Sequence, residues 1–288
     1  MSLKKQTVSS LKWQIGANVL QKIITFGATI ILARLLGPSA FGLFALTMVI
    51  VSSFELFKSL GIDSALIRKA DNFEDAANTA FVIIPLLGIL LYIVLNFSAP
   101  IIAKFLNNRE LLPIIRVLGI VFVISCFSKV PQASLERDMH FKKISIAEFT
   151  SSIIFSVSAV VFAFLNFRVW SLVYAYIIKM FVYMAMIWIY AQWRPKLFFN
   201  KTLALEMFNF GKFVFLASAV WFIKMNLDNF LVGKLLGLTM LGLYAIAFNI
   251  ANFGADYFGN KVYKVIYPAY SNYCFRGLYA FWLLSGAF

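Results

Sequence analysis

Residues Ala33 to Leu46 read ARLLGPSAFGLFAL, the point where one long apolar run ends and another begins. Proline removes a helical amide donor and glycine tolerates backbone that other residues avoid, so Gly37 and Pro38 are expected to break a helix here. Gly42 then lets the returning helix start or pack closely, and Arg34 falls at an outer cavity mouth or at the headgroup boundary. The stretch has a twin. Arg34 to Ala45, RLLGPSAFGLFA, recurs as KLLGLTMLGLYA from Lys234 to Ala245, an offset of 200 residues. Leu35, Leu36, Gly37, Gly42, Leu43 and Ala45 are repeated, Arg exchanges with Lys and Phe with Tyr, and Lys12 aligns with Lys212.

Leucine is abundant, so chance similarity is one account of the match; a duplication is the other, because both copies occupy a turn between an outgoing and a returning apolar run. In that reading, spans one and two correspond to spans seven and eight. Six spans per repeat is an even number, so both halves face the same way, as in parallel repeats of secondary transporters.

Composition agrees with a membrane setting. The 288 residues are 62% hydrophobic and 13% charged, against about 25% charged in a soluble domain. The net charge of +14 would suggest nucleic acid in a soluble protein, but here its sidedness matters instead. Cys126 and Cys274 lie far apart in apolar surroundings and form no disulfide or metal motif. The apolar run after Lys4, Lys5 and Lys12 is longer than a signal-peptide core and lacks a cleavage site, so it reads as a retained span.

About twenty apolar residues cross a bilayer, which places spans near 13–36, 41–62, 78–103, 113–131, 144–165, 168–191, 211–235 and 240–259. Seventeen of the 26 Lys and Arg fall at the N-terminus and even-numbered connections, five at odd-numbered ones, and four within spans. The positive-inside rule therefore puts the N-terminus in the cytoplasm and leaves no call for nucleic acid. The segment Arg194 to Lys212 reads either as a short helix lying on the cytoplasmic surface or as a plain loop.

The fold expected is an all-α polytopic membrane bundle: a six-helix N-terminal bundle over 1–200, then an incomplete second bundle over 201–288 holding spans seven, eight and the start of nine. A second repeat of equal length does not fit in the remaining residues, so a C-terminally truncated protein is the expectation.

Charges inside the bilayer cost about 2.5–3.5 kcal/mol each on insertion scales and seek water or partners. Asn18, Gln21, Lys22, Thr25 and Thr29 form one helical stripe in span one, expected to face water. Lys224 and Asp228 share a face of span seven, and Asn249, Asn252 and Asp256 share one of span eight. These suggest a hydrophilic central cavity with Lys22 and Lys224 near its midplane; the other reading is that Lys224 and Asp228 simply neutralise each other. Arg116 and Lys179 lie near span ends and are weaker cavity candidates. Glu55 and Glu148 are proton or cation sites, or balance Lys58 and Lys143. No zinc-binding, phosphate-loop, dinucleotide or nucleophile-elbow motif is present, and His140 sits in an interfacial loop, so nothing points to an enzyme, metal or cofactor.

Beyond these features, RLLGPSAFGLFALTMVIV, LGIDSALIRK, PQASLERDMHFKKISIAE, LDNFLVGKLLGLTMLGLYAIAFNIA and VIYPAYSNY resemble the Wzx-type polysaccharide transporters of the multidrug/oligosaccharidyl-lipid/polysaccharide exporter superfamily. The resemblance implies flipping of a polyprenyl-diphosphate-linked oligosaccharide across the bacterial inner membrane, by alternating access, for O-antigen, capsule or exopolysaccharide. It also implies membrane lipids, a polysaccharide polymerase and chain-length machinery as partners. A cationic cavity of that kind would use Lys22, Arg34, Arg116 and Lys224, with Asn18, Asn249 and Asn252, as contacts, and Asp228, Glu55 or Asp256 for ion coupling. The alternatives are a multidrug or organic-cation antiporter of the same superfamily, for which a more acidic cavity is expected, and a membrane-embedded transferase, for which the loops are too short and too basic.

Overall fold

The structure, a computed structural model, describes residues 3–58, 60–68, 72–138, 140–248 and 251, with side chains from Leu20 onward except Lys22 and Arg68. Its helices are α1 (Leu3–Glu55), α2 (Ile62–Arg68), α3 (Phe73–Phe105), α4 (Leu111–Leu118), α5 (Ile120–Arg137), α6 (Phe141–Phe164), α7 (Trp170–Tyr190) and α8 (Lys201–Leu235), followed by the short α9 (Gly237–Phe248). Six helical segments among the described residues are long and apolar enough to cross a membrane. The protein is an all-α, multi-pass membrane protein.

The helix break expected at Gly37 is present. Gly37 adopts φ 75°, ψ 166°, a region reserved for glycine, and divides α1 into two arms with Pro38 opening the second. Neighbours show that the arms run in opposite directions. Gln21 bonds Ser152 at 2.7 Å and Leu32 packs with Ala159 and Ala163, so the first arm runs parallel to α6. Phe54 stacks on Phe122, and Lys58 reaches Ser125, so the second arm runs parallel to α5. Helices α5 and α6 are themselves antiparallel, because α7 pairs its C-terminal end with the start of α6 and the end of α5. The bundle thus has a Gly37 end and an opposite, Gly61 end.

Turns at both ends follow local chemistry. Asn107 and Asn166 take left-handed conformations just past α3 and α6, and the next amides, Asn108 and Phe167, donate back to Ala103 and Phe162 at 3.0 and 3.1 Å. These are Schellman closures, in which Asn replaces the usual Gly. The segment Arg194 to Lys212 divides into a loop and the start of a spanning helix. Residues 191–200 are irregular, with the Phe198 amide turning back to the Lys196 carbonyl at 2.8 Å, and α8 starts at Lys201, where the Asn200 side chain accepts from the Thr202 and Leu203 amides. The loop is held because buried Asn78 and Thr79 of α3 accept from the Lys196 and Asn200 amides. At 35 residues α8 is about 52 Å long, more than a bilayer requires.

Over its described part the polar stripe of span one is half-buried, and each of its side chains has a protein partner. Gln21 bonds Ser152, while Thr25 and Thr29 donate to carbonyls one turn back. The facing surface of α6 is small, with Ser151, Ser152, Ser156, Ala159 and Ala163 buried, and small residues let membrane helices approach closely where no hydrophobic force joins them.

Chain packing groups Met1–Ala245 in one unit and Ile246–Phe288 in another. Helix α8 lies in the first unit and packs on α1, α2 and α3.

The twin motifs pack against each other. A Cβ at Gly42 would fall 2.7 Å from the Leu238 carbonyl carbon and 3.0 Å from the Gly242 amide nitrogen; at Gly242 it would fall 2.7 Å from the Pro38 carbonyl carbon and 3.0 Å from the Gly42 amide. Positions 38 and 42 are thus exchanged with 238 and 242, and Gly237 repeats the positive φ of Gly37. Gly42→Val and Gly242→Val are each expected to destabilise the detergent-solubilised protein by about 1–3 kcal/mol. Because the two changes disrupt one contact, the double variant should cost less than the sum; strictly additive shifts in unfolding midpoint would contradict a shared contact.

Candidate functional site

The second arm of α1 and α8 enclose a cleft. At the Gly37 end they meet where Leu46 contacts Gly233. At the other end Gly61 and Gly211 touch backbone to backbone: a Cβ on Gly61 would lie 2.7 Å from the Gly211 Cα. Phe57 and Phe215 pack beside that contact, with ring centroids 5.1 Å apart. The two helices are therefore antiparallel, with α8 meeting Leu46 of α1 at Gly233 and the turn after α1 at Gly211.

Two cavities follow one another along α8 between these closures. Toward the Gly61 end, a cavity of about 330 Å³ is lined by Glu55, Lys58, Asp63, Ser64, Lys129 and Ser218, among others. Toward the Gly37 end lies one of about 310 Å³, walled by Ile50, Phe54, Phe105, Ile223, Leu227 and Phe230. Phe222 lines both.

The polar cavity contains two ion pairs. Lys58 Nζ lies 3.0 Å from Glu55 Oε1 and donates to Ser125 at 3.3 Å. Lys129 Nζ lies 3.0 Å from Asp63 Oδ2 and ties α5 to α2. All four side chains are between 13% and 25% exposed, so pairing offsets much of the cost of withdrawing them from water. The balance is two cations and two carboxylates with several hydroxyls, a surface that can both donate and accept.

The residues singled out from sequence are dispersed. Glu55 lines the polar cavity. Lys224 and Arg34 are exposed, and Arg116 is exposed on α4 opposite its buried Ile114, Ile115 and Leu118; none of the three lines a described cavity. Asp228 does not bond Lys224. It accepts from the Tyr244 hydroxyl at 2.5 Å and from the Asn229 amide at 2.8 Å. Lys179 lies over Phe155 and Tyr176, with Nζ 5.7 and 5.8 Å from the ring centroids. Asn249, Asn252 and Asp256, and the side chains of Asn18 and Lys22, lie outside the described residues.

Lys58, Asp63 and Lys129 are the residues that sequence reasoning passed over as site candidates. Lys58 and Lys129 were counted with the basic residues of the turns, yet both reach into the cleft. The available signal was the crowding of Glu55, Lys58 and Asp63 around one helix end, together with Lys129 just inside the expected span limit near residue 131.

The fold and cleft define a polytopic helical membrane protein whose spanning helices enclose a partly charged cavity. The chain belongs to the polysaccharide biosynthesis protein family, whose model matches residues 31–274. It is 24% identical over 94% of its length to the lipopolysaccharide biosynthesis protein WzxC of Escherichia coli, covering 56% of that protein. It is 25% identical over 94% of its length to the teichuronic acid biosynthesis protein TuaB of Bacillus subtilis, covering 56%. It is also 26% identical over 89% of its length to the succinoglycan biosynthesis transport protein ExoT of Rhizobium meliloti, covering 53%. The chain thus spans about half the length of these relatives. Among solved structures it shares the fold of an inward-facing multidrug resistance MATE family transporter of the MOP superfamily, with TM-score 0.52 and 18% identity, covering 85% of this chain and 59% of that one.

Removing one member of the Asp63–Lys129 pair leaves its partner charged and poorly solvated. Asp63→Asn and Lys129→Met are each expected to lower stability by about 1–3 kcal/mol, and the double variant should recover much of the loss. Thermal unfolding in detergent measures this; a double variant as unstable as the sum would argue against the pair.

Proposed function

We propose that this chain moves a polyprenyl-diphosphate-linked oligosaccharide across the bacterial inner membrane, for a cell-surface polysaccharide, by alternating access around the cleft between α1 and α8. The observation that carries the proposal is that cleft itself: a charged and hydroxyl-lined cavity among membrane-spanning helices, with a glycine at each closure. The similarity to WzxC, TuaB and ExoT, named for polysaccharide biosynthesis and transport, supports it.

In this reading the Gly61 end faces the cytoplasm, along with the N-terminus. The basic residues of that end, among them Arg137, Lys142, Lys143, Arg194 and Lys196, favour this orientation. Residues 1–200 and 201–288 are read as two repeats, with the reciprocal Gly42–Gly242 packing as support. Glu55 is the coupling carboxylate with a cavity position in its favour; Lys22, Lys224 and Arg34 contribute cationic surface, and a polysaccharide polymerase with its chain-length machinery acts on the product.

Two measurements test this. In sealed vesicles, the protein should accelerate movement of a labelled lipid-diphosphate saccharide between leaflets over protein-free controls; no acceleration, with uptake of organic cations instead, would favour a multidrug antiporter. In a cysteine-free background, Lys196→Cys should react with a membrane-impermeant thiol reagent only from the cytoplasmic side and Arg109→Cys only from the opposite side. The reverse pattern would overturn the orientation.

A further inference from the structure

We infer that the paired cavities along α8 form one amphipathic lipid site: the polar cavity takes the phosphate of a long-chain lipid from the Gly61-side leaflet, and the apolar cavity takes the first part of its chain. This rests on the proposed transport of a lipid-linked saccharide and adds where that lipid's chain is held.

The order of the cavities carries the inference. Residues Val214 to Phe222 of α8 line the polar compartment and Phe222 to Phe230 the apolar one, so polarity falls along one helix from the Gly61 end toward the Gly37 end. A lipid in the Gly61-side leaflet has that polarity and direction, with its headgroup at the leaflet surface and its chain pointing to mid-bilayer. The apolar compartment opens among spanning helices, where hydrocarbon chains are the ambient solvent. Its walls are Ile, Leu, Val and Phe, with Ser53 and Asn226 as exceptions, and Asn226 is satisfied by donating to the Phe222 carbonyl at 3.1 Å. Nothing in that compartment needs a polar ligand. At its far end the Phe105 ring carries Lys234, with Nζ 3.6 Å from the centroid; Lys224 and Asp228, on the same stretch of α8, do not line the compartment.

The phosphate has two cations to meet in the polar compartment. Lys58 and Lys129 are held by Glu55 and Asp63, each at 3.0 Å. An arriving phosphate takes the place these carboxylates occupy on the ammonium groups, so the carboxylates compete with the ligand and keep the empty site neutral. Phe222 stands between the compartments, at the junction of head and chain.

The test uses the full chain in detergent, with a long-chain polyprenyl phosphate, a short-chain polyprenyl phosphate and inorganic diphosphate as probes, and binding read by native mass spectrometry. The wild type should bind the long-chain phosphate about tenfold or more tighter than the short-chain one. Ile223→Trp and Leu227→Trp, at exposed positions where folding is expected to survive, should remove most of that preference while leaving diphosphate binding within about twofold. Glu55→Gln should strengthen binding of all three probes by freeing Lys58. Equal affinity for long and short chains, or an unchanged preference in both Trp variants, overturns the chain compartment even if leaflet-to-leaflet transport is observed. Failure of the wild type to bind any phosphate overturns both the compartment and the transport reading beneath it.

Discussion

Everything in the cleft depends on the distance between two backbones. At Gly42 and Gly242 the two copies of the recurring motif meet with no side chain between, and any Cβ there would push α9 away from the second arm of α1. Helices in lipid are not driven together by exclusion of water; shape, dispersion and hydrogen bonds do the work. Next to that approach Leu46 packs on Gly233 and closes the Gly37 end of the cleft, and Gly61 with Gly211 closes the other. Between them the antiparallel helices diverge enough to leave room for both cavities.

Charge is handled differently inside the first unit and along its cleft. Where α1 meets α6, polar groups are hydroxyls and amides that bond each other or their own helices, which lets them be buried at little cost. Along the cleft, full charges are admitted, and each described one is compensated: Lys58 by Glu55 and Lys129 by Asp63. Asp228 is held by neutral donors instead. A membrane protein keeps such groups only where something offsets their desolvation, and the concentration of ion pairs at one end of one cleft is why function is assigned there.

The repeat and the helix break were legible because their physics is local. Gly37 with Pro38 stops a helix whatever surrounds it, and an offset of 200 residues in a short motif needs no partner to be seen. Most spans likewise follow from apolar length: 78–103, 144–165 and 168–191 fall within or beside α3, α6 and α7. The contacts that the sequence hides share another feature, since each depends on a residue distant in sequence. Gln21 of the span-one stripe bonds Ser152, 131 positions away. The 191–200 loop is held by Asn78 and Thr79, and Lys129 is a cleft residue beside Asp63, 66 positions away.

The sequence alone determined that the chain lies in a membrane, where its first long helix breaks, and that one turn motif recurs, because hydropathy, glycine and proline act within a few residues of themselves. Tertiary structure alone decided that the duplicated turns touch, that Asp228 answers to Tyr244 rather than Lys224, and which charges share a cavity. Those outcomes depend on distances between helices, and in lipid such distances are set by the fit of surfaces that no single segment contains.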